Sequence, residues 1–221
     1  MLTLGLDTTT GWGCLGLFQD GTAVAETVWR VGKNQAEQFL PVLAEMMARA
    51  GLAPSALDLI AVGCGPGSYT GLRIGIAMAE ALSFTLDRPV TGVCTLAALA
   101  ENAPDFPGPV CASVVARRGE VYAAVYRAGR EISPPSPKPP ASLLLELAAL
   151  GEERILALGS GAGLLRAAPL PPGLELVYGH PEQDLVRGIT VARLGAVRPV
   201  ARPYPIYLRR TEAEERLVSG V

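Results

Sequence analysis

Residues 63–75 read Gly-Cys-Gly-Pro-Gly-Ser-Tyr-Thr-Gly-Leu-Arg-Ile-Gly, and no other stretch limits the fold of this chain as tightly. The apolar run Leu59-Ile60-Ala61-Val62 leads into it, and residues 72–86 hold no proline and read as a helix. The unit is therefore strand, tight loop, helix. A loop of this kind aims backbone N–H groups past the end of the strand, where the helix N-terminus favours an anion. No Lys-Ser/Thr pair closes it, so it is not the Walker phosphate loop. Phosphate binding and a plain sharp turn both remain open. Within the helix, Gly71, Gly75, Ala79 and Ser83 recur every fourth residue and form one small stripe. The stripe admits either the chain's own sheet or another helix.

The remainder fits an alternating α/β chain. Residues 2–6 form an apolar strand ending at Asp7, Thr8-Thr9-Thr10-Gly11 turn the chain, and residues 13–19 and 22–30 flank the hairpin signal Asp20-Gly21. Asn34 with Glu37 reads as a helix N-cap with its capping-box partner. The helix runs to about residue 50, with Ala36, Leu40, Leu43, Met47 and Ala50 as an apolar face, widened by Phe39, Val42 and Met46 so that more than one side can be covered, and a kink expected at Pro41. Residues 89–93 read as a strand and 95–101 as a short helix, and the proline-rich stretch 102–109 marks a lobe boundary. This divides the chain into an N-terminal lobe, 1–101, and a C-terminal lobe, 102–221.

In the second lobe, residues 110–115 and 120–127 read as strands joined by Ala116-Arg117-Arg118-Gly119. Residues 133–140 read as a stiff, exposed, proline-rich connection, and 143–150 as a short helix. Residues 154–158 and 174–177 read as strands, with the glycine run 159–163 as a strand-to-helix turn or a close approach to an adenine or ribose. Residues 185–197 form the last helix, weakened by Gly188 and Gly195 and able to pack back on the first lobe. The tail at 203–210 is extended and aromatic, of a kind that is solvated or docked on a neighbour, and charges run on to Arg216.

Composition excludes several functions. With 49% hydrophobic and 18% charged residues the 221-residue chain can bury a large core, and its net charge of −2 does not match a polyphosphate backbone. If the protein works on RNA, another component supplies most of the grip. Cys14, Cys64, Cys94 and Cys111 lack metal spacing and read as small buried hydrophobes in a reducing, cytoplasmic compartment. No basic segment precedes an apolar one at the N-terminus, and no run is long and apolar enough to span a bilayer. His180 is the sole histidine, too little for a zinc site, and Tyr69 stands where a nucleophile elbow needs glycine. Hydrolysis by a triad is therefore not expected.

Residues 65–75, together with Leu6-Asp7-Thr8-Thr9-Thr10, resemble the TsaB (YeaZ) family. The likeness is strong from Leu4 to about Leu99 and weaker through 117–122 and 205–209. It implies an α/β fold of two lobes of the actin-like ATPase and sugar kinase (ASKHA) type. It implies a non-catalytic subunit that dimerises with and activates a TsaD-like paralogue, in the machinery that adds threonylcarbamoyl to adenosine near the tRNA anticodon. A TsaE-like ATPase, and tRNA through the complex, would be further partners, with a homodimer when the chain is alone. In the superfamily the first hairpin holds phosphate and metal, which points to Asp7, Thr8, Thr10, Gly65, Gly67, Ser68 and Thr70 as a weak, vestigial ATP or ADP site; Asp7 as a simple turn cap is the other reading. No cofactor would be required. The resemblance puts TsaD's metal-binding histidines at 34–39, where this chain has none, and the second acid at Val115. The expected interface comprises Leu40, Leu43, Met47, Gly71, Leu72, Gly75, Ala79 and Ser83. An ATP-dependent carbamoyl or phosphoryl transferase using Asp7, Ser68 and Thr70 stays open, as does a nucleotide sensor without turnover.

Overall fold

The computed structural model describes residues 1–32, 35–197 and 202–209. The Asn34 cap and the charged residues after 209 lie outside them. Two sheets carry the chain. The first has the order β3-β2-β1-β4-β5, from β1 (Leu2–Asp7), β2 (Trp12–Gln19), β3 (Thr22–Arg30), β4 (Leu59–Gly63) and β5 (Val90–Val93). The second has the order β8-β7-β6-β9-β10, from β6 (Val110–Val115), β7 (Val121–Arg127), β8 (Arg130–Lys138), β9 (Arg154–Leu158) and β10 (Glu175–Tyr178). In each, a meander of three antiparallel strands is followed by two parallel ones. The fold is thus one unit built twice, and Asp7 at the end of β1 is matched by Val115 at the end of β6.

Six helices fall into three layers among the described residues. On the outside of the first sheet lie α1 (Gln35–Arg49) and α2 (Tyr69–Leu86). On the outside of the second lie α4 (Pro140–Ala149) and α5 (Ala162–Ala167). Between the sheets lie α3 (Thr95–Ala100) and α6 (Gly188–Ala196). Each of these last two crosses over: α3 follows the first sheet and packs on β6 and β7, while α6 follows the second and packs on β1, β2 and β4.

The glycines of α6 explain its position. A Cβ on Gly188 would lie 2.2 Å from the Leu15 carbonyl carbon, and one on Gly195 would lie 2.4 Å from the Ala61 Cβ. On the sheet side, a Cβ on Gly5 would lie 2.1 Å from the Gly188 oxygen. Residues that cost helix propensity thus let helix and sheet backbones touch. Glu26 of β3 fixes the start of α6, accepting from Arg187 Nε at 2.6 Å and from Ile189 N–H at 3.1 Å.

The inward stripe of α1 is Phe39, Leu43, Met46 and Met47, all buried. Phe39 is fully buried, worth roughly 2–3 kcal/mol against exposure. Leu40 and Ala36, expected on the same apolar face, are exposed instead. The helix continues through Pro41. Residues 133–140, expected as a stiff, exposed connection, mostly belong to β8. Its three prolines are tolerated because β8 is an edge strand, paired only with β7, and the register shifts opposite Pro134 and Pro135.

Candidate functional site

A cleft of about 950 Å³ opens between the lobes, above the C-terminal ends of β1 and β6. The first hairpin brings Thr9, Thr10 and Gly11 to it, and the glycine loop brings residues 66–70. From the second lobe come Val115, Arg117, Arg118, Tyr122 and Ser160, and from the tail residues 206–209.

The glycine loop is pinned from below. Ser68 N–H donates to the Thr9 carbonyl at 2.6 Å, and Gly65 exchanges bonds with Thr95, its N–H donating to Oγ1 at 3.1 Å and its carbonyl accepting the Thr95 N–H at 2.8 Å. A Cβ on Gly67 would lie 2.4 Å from the Thr9 oxygen, so only glycine fits there. Ser68 caps α2, its hydroxyl accepting the Gly71 N–H at 3.2 Å. The helix N-terminus therefore faces the cleft beside the hydroxyls of Ser68 and Thr70.

Of the predicted phosphate-site residues, Thr10, Gly67, Ser68 and Thr70 line the cleft, and Asp7, Thr8 and Gly65 do not. Asp7 is wholly buried. Its Oδ1 accepts the Thr9 N–H at 2.7 Å and the Thr9 hydroxyl at 2.8 Å, and its Oδ2 accepts the Thr95 hydroxyl at 2.7 Å. Burial pushes the carboxyl up from its ordinary value, against the pull of the Thr95 and Thr9 hydrogen bonds. Asp7 is a turn and loop anchor rather than a ligand. Thr8 is likewise spent, donating to the Gly71 carbonyl at 2.7 Å. Thr10 closes the hairpin turn by donating to the Trp12 carbonyl at 2.9 Å.

No carboxylate lines the cleft among the described residues. Val115 holds the second hairpin's acid position, its N–H donating to Ser160 Oγ at 3.1 Å. His180 is exposed, and no group of His, Cys, Asp or Glu among the described residues could hold a metal. The fold type implies a metal-bound nucleotide, but these residues do not fit one: the sole acid of the hairpin faces inward, fully hydrogen-bonded. The cysteines are free, and burial pushes the Cys64 and Cys111 thiols up to about 12.

The stripe Gly71-Gly75-Ala79 faces the chain's own sheet. A Cβ on Gly71 would lie 2.0 Å from the Thr8 oxygen, and one on Gly75 would lie 2.5 Å from Thr8 Oγ1. Leu43, Met47, Leu72 and Ala79 are buried in the same core, and Ser83 is spent on the helix end, donating to the Arg88 carbonyl at 2.6 Å. Apart from the half-buried Ser83, these expected interface residues are buried and offer no surface to a partner. Leu40 does, at 54% exposure. Sequence reasoning missed Phe84, which is 91% exposed and lies on one stripe with the exposed Ala77 and Ala81. Their spacing of four and three residues was the available signal.

The doubled sheet-and-helix unit with a cleft between its halves defines the actin-like ATPase and sugar kinase class. The ROK hexokinase of Thermus thermophilus shares it at TM-score 0.51 and 13% identity, over 89% of this chain and 99% of that one. A family model described as "TsaD: tRNA N6-adenosine threonylcarbamoyltransferase" matches residues 30–144. A Pseudomonas aeruginosa structure, described as an uncharacterized protein with similarity to peptidase YeaZ, matches at TM-score 0.79 and 30% identity, over 94% of this chain and 99% of that one. The Bacillus subtilis tRNA threonylcarbamoyladenosine biosynthesis protein TsaB is 35% identical over 127 residues, 58% of this chain. The chain belongs to the TsaB (YeaZ) family. The matched region spans 56% of the Bacillus protein's length. No helix among the described residues is long and apolar enough to cross a membrane.

Proposed function

We propose that this chain is a non-catalytic subunit in tRNA threonylcarbamoyladenosine biosynthesis, acting by binding a TsaD-like paralogue. The observation that carries the reading is the pair of unpartnered stripes on adjacent outer helices: Leu40, Ala44 and Ala48 on α1, and Ala77, Ala81 and Phe84 on α2, all exposed. A phenylalanine with 91% of its surface in water is an anchor in search of a pocket. Small residues around it let another helix approach closely. A paralogue built on the same fold carries matching outer helices, and the chain's own copy serves as a weaker substitute, giving a homodimer when it is alone. The cleft argues in the same direction, because the acid that would organise phosphoryl transfer is buried at Asp7 and replaced at Val115.

In this reading the subunit needs no cofactor, and any ATP or ADP bound at Ser68 and Thr70 is held weakly and without a metal. A TsaE-like ATPase and tRNA meet the chain through the assembled complex. The test is reconstitution of the modification with purified TsaD-like and TsaE-like proteins, with nucleoside mass spectrometry as readout. Modified adenosine should appear only when this chain is added and should be lost with Leu40→Glu and Phe84→Glu combined. Full modification with that variant would refute the docking face.

A further inference from the structure

The tail at 202–209 is extended, and it packs on the chain's own body with part of its surface in water. It runs back along α2 and across the mouth of the cleft. At its start Arg202 lies 3.7 Å from Glu80, and Pro203 is buried over β5. A Cβ on Gly92 would lie 3.2 Å from the Pro203 Cα and 2.7 Å from Cys64 Sγ, so Gly92 separates the two. Ile206 N–H then donates to the Cys64 carbonyl at 2.8 Å, at the very end of β4. Tyr207 lies on Tyr69 with ring centres 5.2 Å apart, and its hydroxyl accepts from Arg73 Nε at 3.3 Å. The Arg73 guanidinium covers the Tyr69 ring at 4.2 Å. Finally Arg209 reaches the second lobe and pairs with Glu120.

This segment therefore joins the lobes on the cleft side, whereas α3 and α6 join them between the sheets. The two connections differ in kind. The α6 connection rests on backbone contact at Gly5, Gly16 and Gly188, which cannot open without breaking the core. The tail buries Pro203 and packs Ile206 on the first core, but its remaining contacts stay partly in water: Tyr204 is 71% exposed and Tyr207 is 46% exposed. A segment with few buried apolar contacts opens locally at a free energy well below that of global unfolding.

We propose that residues 202–209 form a strap, which bridges the lobes along one wall of the cleft and releases as a unit while the rest of the chain stays folded. Closed, it lines the cleft with Ile206, Tyr207, Leu208 and Arg209 and ties α2 to the second lobe. Open, it uncovers Tyr69, Arg73 and the Cys64 end of β4, and frees the lobes to part at the mouth.

Cys64 is a built-in reporter. It is buried, its carbonyl holds the Ile206 N–H, and burial pushes its thiol up to about 12, so closed molecules react little at pH 8. Cys14 and Cys111 lie in the cores away from the tail and report global unfolding. The experiment is timed alkylation of the full chain with iodoacetamide, with site-resolved mass spectrometry. It compares the parent with Tyr207→Ala/Arg209→Ala and, from the opposite lobe, with Glu120→Gln. The strap predicts that Cys64 alkylation rises at least tenfold in the double variant and severalfold in Glu120→Gln, while Cys14 and Cys111 stay protected. An unchanged Cys64 rate would overturn the proposal. So would a rise shared by Cys14 and Cys111, because the tail would then be inseparable from the global fold.

Discussion

Thr95 donates its hydroxyl proton to Asp7 across 2.7 Å, tying the first turn of α3 to the end of β1. The same hydroxyl oxygen accepts the Gly65 N–H, so one threonine joins the first hairpin, the glycine loop and the inter-sheet helix. Removing it strands buried polar groups, each costing about 1–3 kcal/mol. Thr95→Val should therefore lower stability by ~2–4 kcal/mol in urea melts, the penalty for Asp7 and the Gly65 N–H together.

Asp7 has a pH signature opposite to that of an ordinary surface aspartate. Its folded-state pKa is raised by burial, so between the unfolded and folded values the native state holds the extra proton. Its contribution to stability is fully present below about 3.8 and is lost as pH rises through the folded value. Asp7→Asn removes this dependence. The variant should gain stability relative to the parent as pH increases from 4 to 7, measured by urea melts at each pH. A parent stabilised by Asp7 ionisation over that range would contradict the assignment.

The contact of α6 with the first sheet predicts intolerance of single methyl groups. Gly5→Ala places a Cβ 2.1 Å from the Gly188 oxygen, a backbone atom that cannot swing away. The expected loss is about 3 kcal/mol or more. Gly11→Ala, where nothing lies within 4 Å, should change stability by less than about 0.5 kcal/mol. Thermal melts of the two variants give the comparison.

Much of this fold was legible because its signals are local. The glycine loop announces itself by an apolar strand before it and a proline-free helix after it. Asp20-Gly21 marks a hairpin by its turn chemistry. What was not legible is which of two surfaces a symmetric-looking pattern faces. Gly71, Gly75 and Ala79 make the same small stripe whether they admit a sheet or a foreign helix, and only the placement of Thr8 decides it. Asp7 next to hydroxyls reads as a phosphate hairpin until Thr95, 88 residues away, is found to consume its second oxygen. Pro134, Pro135 and Pro137 argue against a strand unless the strand is known to lie at an edge. The tail's place in the cleft follows from tertiary contacts at Cys64, Tyr69 and Glu120, which no sequence period announces.

The placement of that stripe separates two kinds of substitution on α2. Gly75→Val collides with Thr8 and should damage the fold, at a cost of about 1–3 kcal/mol. Phe84→Glu changes a side chain 91% exposed and should leave stability within about 0.5 kcal/mol of the parent while weakening association. Circular dichroism melts paired with sedimentation of both variants would show the split. A stable Gly75→Val chain that fails to associate would return the small stripe to the interface.

Under the proposed function the outer faces of α1 and α2 dock a paralogue. The most direct test of that docking is size-exclusion chromatography with light scattering, on this chain alone and mixed with the TsaD-like protein of the same cell. The expected result is a homodimer that gives way to a one-to-one heterodimer on mixing, and loss of both with Leu40→Glu/Phe84→Glu. Unchanged masses on mixing, at concentrations well above micromolar, would contradict it.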